Sequence, residues 1–149
     1  MENTYRPRRT CLSVPGSSLK MIEKAKSLPA DEVFLDLEDA VAPGAKESAR
    51  AQVAAALADD GWAGQLRGVR VNDWTTPWTY ADVIEVVAGA GGQLDLIVLP
   101  KVTEASHVQA LDLLLTHHPA VPAAPAELGP GRGWHLPRES RGQPRSGGD

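Results

Sequence analysis

Four short polar groupings, each placed directly after an apolar run, hold the residue types in this chain that could do chemistry. In order they are Ser13-Val14-Pro15-Gly16-Ser17-Ser18, Asp36-Leu37-Glu38-Asp39, Arg70-Val71-Asn72-Asp73 and Pro100-Lys101. Asp36 stands at the end of Val33-Phe34-Leu35, and a carboxylate in an apolar run is costly to bury without a metal ion, an arginine or several hydrogen-bond donors. Arg70 lies between Val69 and Val71. Its planar guanidinium suits bidentate recognition of a substrate carboxylate, and suits equally a structural ion pair with the acidic grouping. Lys101 is open to three readings: a Schiff-base nucleophile, a partner for the acidic grouping, or a solvated loop residue. The Pro-Gly-Ser-Ser turn either caps a helix or offers backbone N–H groups to a phosphate, and it has neither the GxGxxG nor the GxxxxGK[ST] pattern.

The elements around these groupings alternate. Thr10–Val14 reads as a strand stopped by Pro15-Gly16, and Ser17 or Ser18 caps a helix with Met21, Ile22, Ala25 and Leu28 at helical spacing, ended by Pro29. A second strand, Val33–Leu37, precedes an Ala-rich helix over 45–58 that Pro43 opens and in which Ala49, Val53, Ala56 and Leu57 share a face. Arg67–Asn72 is a third strand, followed by a helix from Thr79 to Ala88 with Tyr80, Val83, Ile84 and Val87 inward and a stop at Gly89–Gly92. Leu94–Leu99 is the fourth strand, and the helix after it carries Val108, Leu111, Leu114 and Leu115. Strands that read as unbroken apolar runs and alternate with helices predict an α/β fold with a parallel sheet. Four βα units fit either a small doubly wound domain or the N-terminal half of a TIM (β/α)8 barrel. Both collect their functional groups where strands end and helices begin. Asp36 and Glu38 then share a strand face, with Asp39 pointing elsewhere.

Composition excludes several classes. The 149 residues are 42% hydrophobic and 23% charged with a formal charge of −4, so there is no nucleic-acid footprint. One cysteine, Cys11, forms no disulfide framework and reads as a core residue; no stretch is long and apolar enough for a membrane span, so a cytoplasmic protein is expected. The histidines, His107, His117, His118 and His135, lack metal-ligand spacing, and Trp62, Trp74 and Trp78 read as packing. Proline divides the chain: six of the twelve lie in residues 1–118 and six in Pro119–Asp149. The expected organisation is a partial barrel over 8–116 and a Pro/Gly/Arg-rich segment over 117–149 that is disordered or the product of a frameshift.

Several ordered segments carry a family resemblance: Arg9–Ser17, Met21–Ala25, Phe34–Val41, Lys46, Ala49-Arg50, Val69–Asn72 and Leu99–Val102. With these the chain resembles the HpcH/HpaI aldolase and citrate lyase beta-subunit family, and within it the CoA-ester lyases of the malyl-CoA and citramalyl-CoA lyase kind. The resemblance covers residues 8 to about 116. It implies a (β/α)8 barrel and a Mg2+-dependent aldol or Claisen-type carbon–carbon lyase acting on the CoA thioester of a hydroxy or oxo acid. It further implies that Arg70 binds the oxo-acid and neutralises developing oxyanion charge. Asp36, Glu38 and Asp39 form the acidic floor that orients Arg70, while Ser13 and Lys20 lie beside CoA. Lys46 contacts either CoA or the acidic cluster, and Lys101 is a structural support rather than a Schiff base.

The family's Mg2+ carboxylates belong to the fifth and sixth strands, beyond the matching region, so no metal ligand is assigned here. The resemblance therefore implies a truncated lyase with impaired activity, binding a small-molecule CoA ester and oxo-acid, and forming a homo-oligomer if folded. Its open strand edges predict poor solubility or self-association. Two other readings stand beside it: a non-catalytic CoA-binding or assembly fragment, and a receiver-like signalling domain. The latter needs a carboxylate at the third strand's end, where Arg70-Val71-Asn72 leaves only Asp73 beyond.

Overall fold

The structure, a computed structural model, describes residues 6–117. Its elements run β1 (Cys11–Pro15), α1 (Leu19–Ala25), β2 (Glu32–Asp36), α2 (Lys46–Ala58), β3 (Leu66–Arg70), α3 (Thr79–Ala90), β4 (Leu96–Val98) and α4 (Ala105–His117). Single 3₁₀ turns at Pro43–Ala45 and Gly91–Gln93 lead into α2 and out of α3. Pro43 suits the first of these because a helix's opening N–H groups have no intrahelical partner to lose. Ser18 caps α1, its Oγ accepting from the Met21 amide at 3.4 Å. The rest of the segment expected for residues 118–149 lies outside the described residues.

All strand pairs are parallel and the order is β1-β2-β3-β4. Right-handed crossovers that always step one strand in the same direction leave every helix on one side of the sheet. A doubly wound sheet must instead reverse its order at a switch point, which is how a receiver-like domain is wound. No reversal occurs among the described strands, so the winding is that of consecutive units of a (β/α) barrel.

Period-two alternation then sorts the strand residues. Val14, Val33, Leu35, Val69 and Val71 face the helices and are buried with Ile22, Val53, Leu57, Val83 and Val86. Burying each of these aliphatic side chains contributes about 1.5–3 kcal/mol. On the other face the register stacks Ser13, Phe34, Gly68 and Leu96 in one row, and Pro15, Asp36, Arg70 and Val98 in the next. That face is only partly covered: Ser13 is exposed and Phe34, Leu96 and Val98 are half-buried.

Three expectations need correction. Tyr80 is 57% exposed, and Asp82 and Val86 take the inward phase of α3 instead. Cys11 is exposed, because it sits on the open face of an edge strand. The first helix ends at Ala25, not Leu28: the Lys26 amide still bonds four residues back to Ile22, but the Ser27 and Leu28 amides bond only three residues back, to the Lys24 and Ala25 carbonyls.

Candidate active site at the strand exits

The first turn is built for close approach. Gly16 donates its N–H to the Asp36 carbonyl at 2.8 Å, and a Cβ placed on Gly16 would stand 2.7 Å from that oxygen and from Val53 Cγ2. Only glycine lets β1 leave the sheet this tightly against β2.

Across the same row, Asp36 and Arg70 meet edge to edge. Arg70 Nε donates to Asp36 Oδ1 and Nη2 to Oδ2, both at 2.8 Å. The Asp36 carboxylate also accepts the amides of Glu38 at 2.8 Å and Ala40 at 3.0 Å, so it holds four hydrogen bonds at 1% exposure. Burial pushes its carboxyl up, but the Arg70 fork and the two amides outweigh burial and hold it below the usual aspartate range. Arg70 is raised in turn, chiefly by the hydrogen bonds to Asp36. One guanidinium edge is thus spent on Asp36, whereas Nη1 makes no hydrogen bond among the described residues and the side chain is 25% exposed. Glu38 Oε2 lies 3.6 Å from Nε and Asp39 Oδ2 lies 3.9 Å from Nη2. All three residues of the acidic grouping therefore face one arginine, although only Asp36 grips it.

Lys101 closes the rim from β4. Its Nζ is 2.5 Å from Glu38 Oε1, 3.6 Å from Asp73 Oδ2 and 4.0 Å from Asp39 Oδ1. The Glu38 contact is an ion pair without hydrogen-bond alignment, so Oε1 is buried with no aligned donor. The nearby Glu38 carboxylate raises the Lys101 ammonium above the ordinary lysine range. Three carboxylates around one ammonium favour its charged form and give it the placement of a counter-charge. Its φ of 52° makes it the one non-glycine in the left-handed region among the described residues. Asp73 is fixed by the Thr75 hydroxyl and by the Thr75 amide at 2.9 Å, contacts that lower its carboxyl.

Lys46 is buried, with every ammonium proton placed: on the Leu37 carbonyl at 2.7 Å, the Glu38 carbonyl at 2.6 Å and Asn72 Oδ1 at 2.7 Å. Of its two anticipated roles, this geometry is contact with the acidic segment. Burial lowers its ammonium, partly offset by Asp82 and the acidic grouping. The sequence assigns no role to Asn72, Arg50 or Asp82, although Asn72 belongs to a polar grouping and Arg50 to a segment that carries the family resemblance. Asp82 Oδ2 accepts the Asn72 amide at 2.9 Å and Asn72 Nδ2 at 2.6 Å, and Asp82 Oδ1 accepts Arg50 Nε at 2.9 Å. The one available signal was phase: Arg50 and Asp82 share the apolar stripes of α2 and α3, where an unpaired charge is not tolerated.

Ser13 and Lys20 are exposed, and their side chains make no hydrogen bond among the described residues. Metal is a different matter. Among the described residues no group of three or more His, Cys, Asp or Glu is placed to hold an ion, and the space between Glu38, Asp39 and Asp73 already receives Lys101. These residues do not fit Mg2+. No helix among them is long and apolar enough to cross a membrane.

Sequentially wound parallel units with a guanidinium–carboxylate rim at the strand exits define a barrel-type α/β protein with its charged groups gathered where strands end and helices begin. Residues 9–123 match the HpcH/HpaI aldolase/citrate lyase family, and the chain belongs to that family. An L-malyl-CoA/beta-methylmalyl-CoA lyase of Cereibacter sphaeroides is 42% identical over 111 residues, which are 74% of this chain and 35% of that protein. A (3S)-malyl-CoA thioesterase of the same species is 40% identical over 119 residues, covering 80% of this chain and 41% of that one. The chain therefore spans only 35% to 41% of the length of these curated relatives. Among solved structures, a citrate lyase from Burkholderia xenovorans superposes with a TM-score of 0.62 at 22% identity, covering 70% of this chain and 34% of that one. RipC from Yersinia pestis gives 0.53 at 28% identity, over 74% and 42% of the two chains.

Proposed function

We propose that residues 8–116 are the oxo-acid-binding segment of a carbon–carbon lyase acting on CoA thioesters of hydroxy or oxo acids. The observation that carries this reading is the half-used guanidinium of Arg70. Asp36 occupies the Nε/Nη2 edge at 2.8 Å on both arms, so the remaining Nη1/Nη2 edge is oriented, charged and open to a second carboxylate. Lysine could supply the charge but not the second edge.

In cleavage, the hydroxyl gives up its proton to water, the bond between the thioester's α-carbon and the hydroxyl-bearing carbon breaks, and its electron pair passes to the α-carbon, giving an oxo-acid and a thioester enolate that takes a proton from solvent. Arg70 would bind the oxo-acid's carboxylate and offset charge developing on its oxygen. Asp36 fixes the guanidinium plane; Glu38 and Asp39 keep the rim acidic, with Lys101 as counter-charge to Glu38. Ser13 and Lys20 would contact CoA. No step is assigned to Mg2+, which the described residues do not fit.

The two curated relatives share malyl-CoA in their names and differ in the bond broken, so the substrate class is better supported than the reaction. The test is isothermal titration of the full chain with glyoxylate and with acetyl-CoA, with and without Mg2+, alongside product analysis after incubation with malyl-CoA. Glyoxylate binding that Arg70→Lys weakens at least about tenfold is the expected result, the scale of one lost charge-assisted hydrogen bond. Acetyl-CoA and glyoxylate as products identify a lyase; malate and free CoA identify a thioesterase. Acetyl-CoA binding without turnover supports the non-catalytic fragment, and glyoxylate binding indifferent to Arg70 sinks the assignment of this residue.

A further inference from the structure

Two backbone segments must be held at a fixed separation for the Arg70 fork to exist: the one leaving β2 after Asp36 and the one leaving β3 after Arg70. Lys46 touches both. Two of its protons go to the Leu37 and Glu38 carbonyls on the first segment, and the third goes to the Asn72 side chain on the second. The segment after Asp36 is thereby gripped from opposite sides. Its Glu38 and Ala40 amides point at the Asp36 carboxylate, and its Leu37 and Glu38 carbonyls point at Lys46.

The tie is itself aimed. Asp82 accepts the backbone N–H and one Nδ2–H of Asn72 on a single oxygen, which turns Asn72 Oδ1 toward Lys46. Arg50, one turn beyond Lys46 on α2, holds the other oxygen of Asp82. The Trp78 ring lies 5.3 Å from Lys46 Nζ and covers it. Lys46, Arg50, Asn72 and Asp82 are all nearly solvent-free, at 5%, 5%, 1% and 0% exposure, so each bond acts without competing water.

We infer that Lys46 is a positioning residue for Arg70: a buried ammonium tying the exits of β2 and β3 together, kept in register by Asn72, Asp82 and Arg50. It rests on the reading of Arg70 as a carboxylate receptor only for its functional consequence; the geometric claim stands apart from that reading. The tie sets where Asp36 stands and therefore which edge of Arg70 is left for substrate. Coulomb attraction between Lys46 and the rim carboxylates is secondary, because its donors point at neutral acceptors.

The experiment uses the full chain labelled with 15N, reading hydrogen exchange at the Arg70 Nε–H, at the Glu38 and Ala40 amides, and at the Val33 and Leu35 amides of the sheet interior. In Lys46→Met the Arg70 Nε–H and the Glu38 and Ala40 amides should exchange at least about tenfold faster while Val33 and Leu35 are unchanged, the scale of a charge-assisted bond. Glyoxylate, followed by the Arg70 Nε resonance, should bind at least about tenfold more weakly in that variant. Asp82→Asn keeps the size of the side chain but removes its charge and turns one acceptor oxygen into an NH2 donor, so the acceptor that aims Asn72 or the one that holds Arg50 is lost. It covers the case in which Lys46→Met does not fold, and should show the same pattern at about threefold. Unchanged Arg70 Nε–H exchange in a folded variant overturns the inference. If the unsubstituted chain ignores glyoxylate while Lys46→Met still frees Arg70, the tie is supported and the carboxylate-receptor reading fails.

Discussion

Two charged clusters meet at the strand exits, where Lys46 of one bonds the Leu37 and Glu38 carbonyls beside the other, and they are built on opposite terms. The inner one, Lys46–Asn72–Asp82–Arg50, is closed, with hydrogen-bonding groups matched between α2, α3 and the β3 exit. The outer one, Asp36, Glu38, Asp39, Asp73, Arg70 and Lys101, is half-open. Asp36 has four bonds, yet one Arg70 edge is idle, Glu38 Oε1 has no aligned donor and Asp39 is exposed. A fully satisfied buried network fixes geometry and leaves nothing for a ligand to do. Unspent hydrogen-bonding capacity is what a binding site needs, and here it is concentrated in the outer cluster.

If that division holds, damage to the inner cluster should appear first as lost stability. Asp82→Ala removes the acceptor of Asn72 and the nearer of the two carboxylates on Arg50, leaving the exposed Glu85 at 3.2 Å, and is expected to cost about 1–3 kcal/mol. Urea denaturation followed by circular dichroism reads this as a lower midpoint at unchanged slope. A loss below about 1 kcal/mol would mean that the pair is hydrated in solution and the contrast with the rim is false.

The outer cluster should divide its effects between stability and pH. Arg70→Met leaves the Asp36 carboxylate with its two amide donors and no counter-charge, a loss of about 1–3 kcal/mol near neutral pH. The pH dependence has a definite sign. Asp36 is held below its unfolded value, so it contributes stability that is present above the unfolded pKa, about 3.9, and is lost as pH falls toward the lower folded value. Without Arg70, burial dominates and the folded pKa rises. The acid limb of the stability curve should then flatten below about pH 4, and urea midpoints from pH 7 to pH 2.5 would show it. An acid limb parallel to that of the unsubstituted chain would remove Asp36 as the titrating group.

How far the sequence reached follows the same division. The strands and helices were legible because aliphatic runs at period two and 3.6 leave few alternatives, and Val33, Leu35, Val53 and Val83 sit where those periods put them. Arg70 and the acidic grouping were legible as a set because charges at strand ends have nowhere to go but the rim. The inner cluster was not. Arg50 and Asp82 are 32 residues apart, and no local pattern says that one charge on an apolar stripe will meet another on the next helix. Tyr80 and Cys11 misled for a related reason. Periodicity reports that a residue is apolar but not how fully its side of the element is covered, and both residues are exposed.

Lys101 offers the finest test of the contrast, because in it the rim's charge and the rim's backbone can be separated. Its side chain is 61% exposed, so the ion pairs to Glu38, Asp39 and Asp73 are largely screened and Lys101→Met should leave the urea midpoint unchanged. Its backbone is another matter, since φ of 52° disfavours any side chain with a Cβ. Lys101→Gly and Lys101→Ala remove the same ammonium, but only glycine relieves the left-handed conformation, against its greater freedom in the unfolded chain. The steric relief is the larger of these two opposing effects, so the glycine variant should have the higher midpoint. If the alanine variant is equal or higher, the conformation is not strained, and Lys101 stands where it does because of its charge alone.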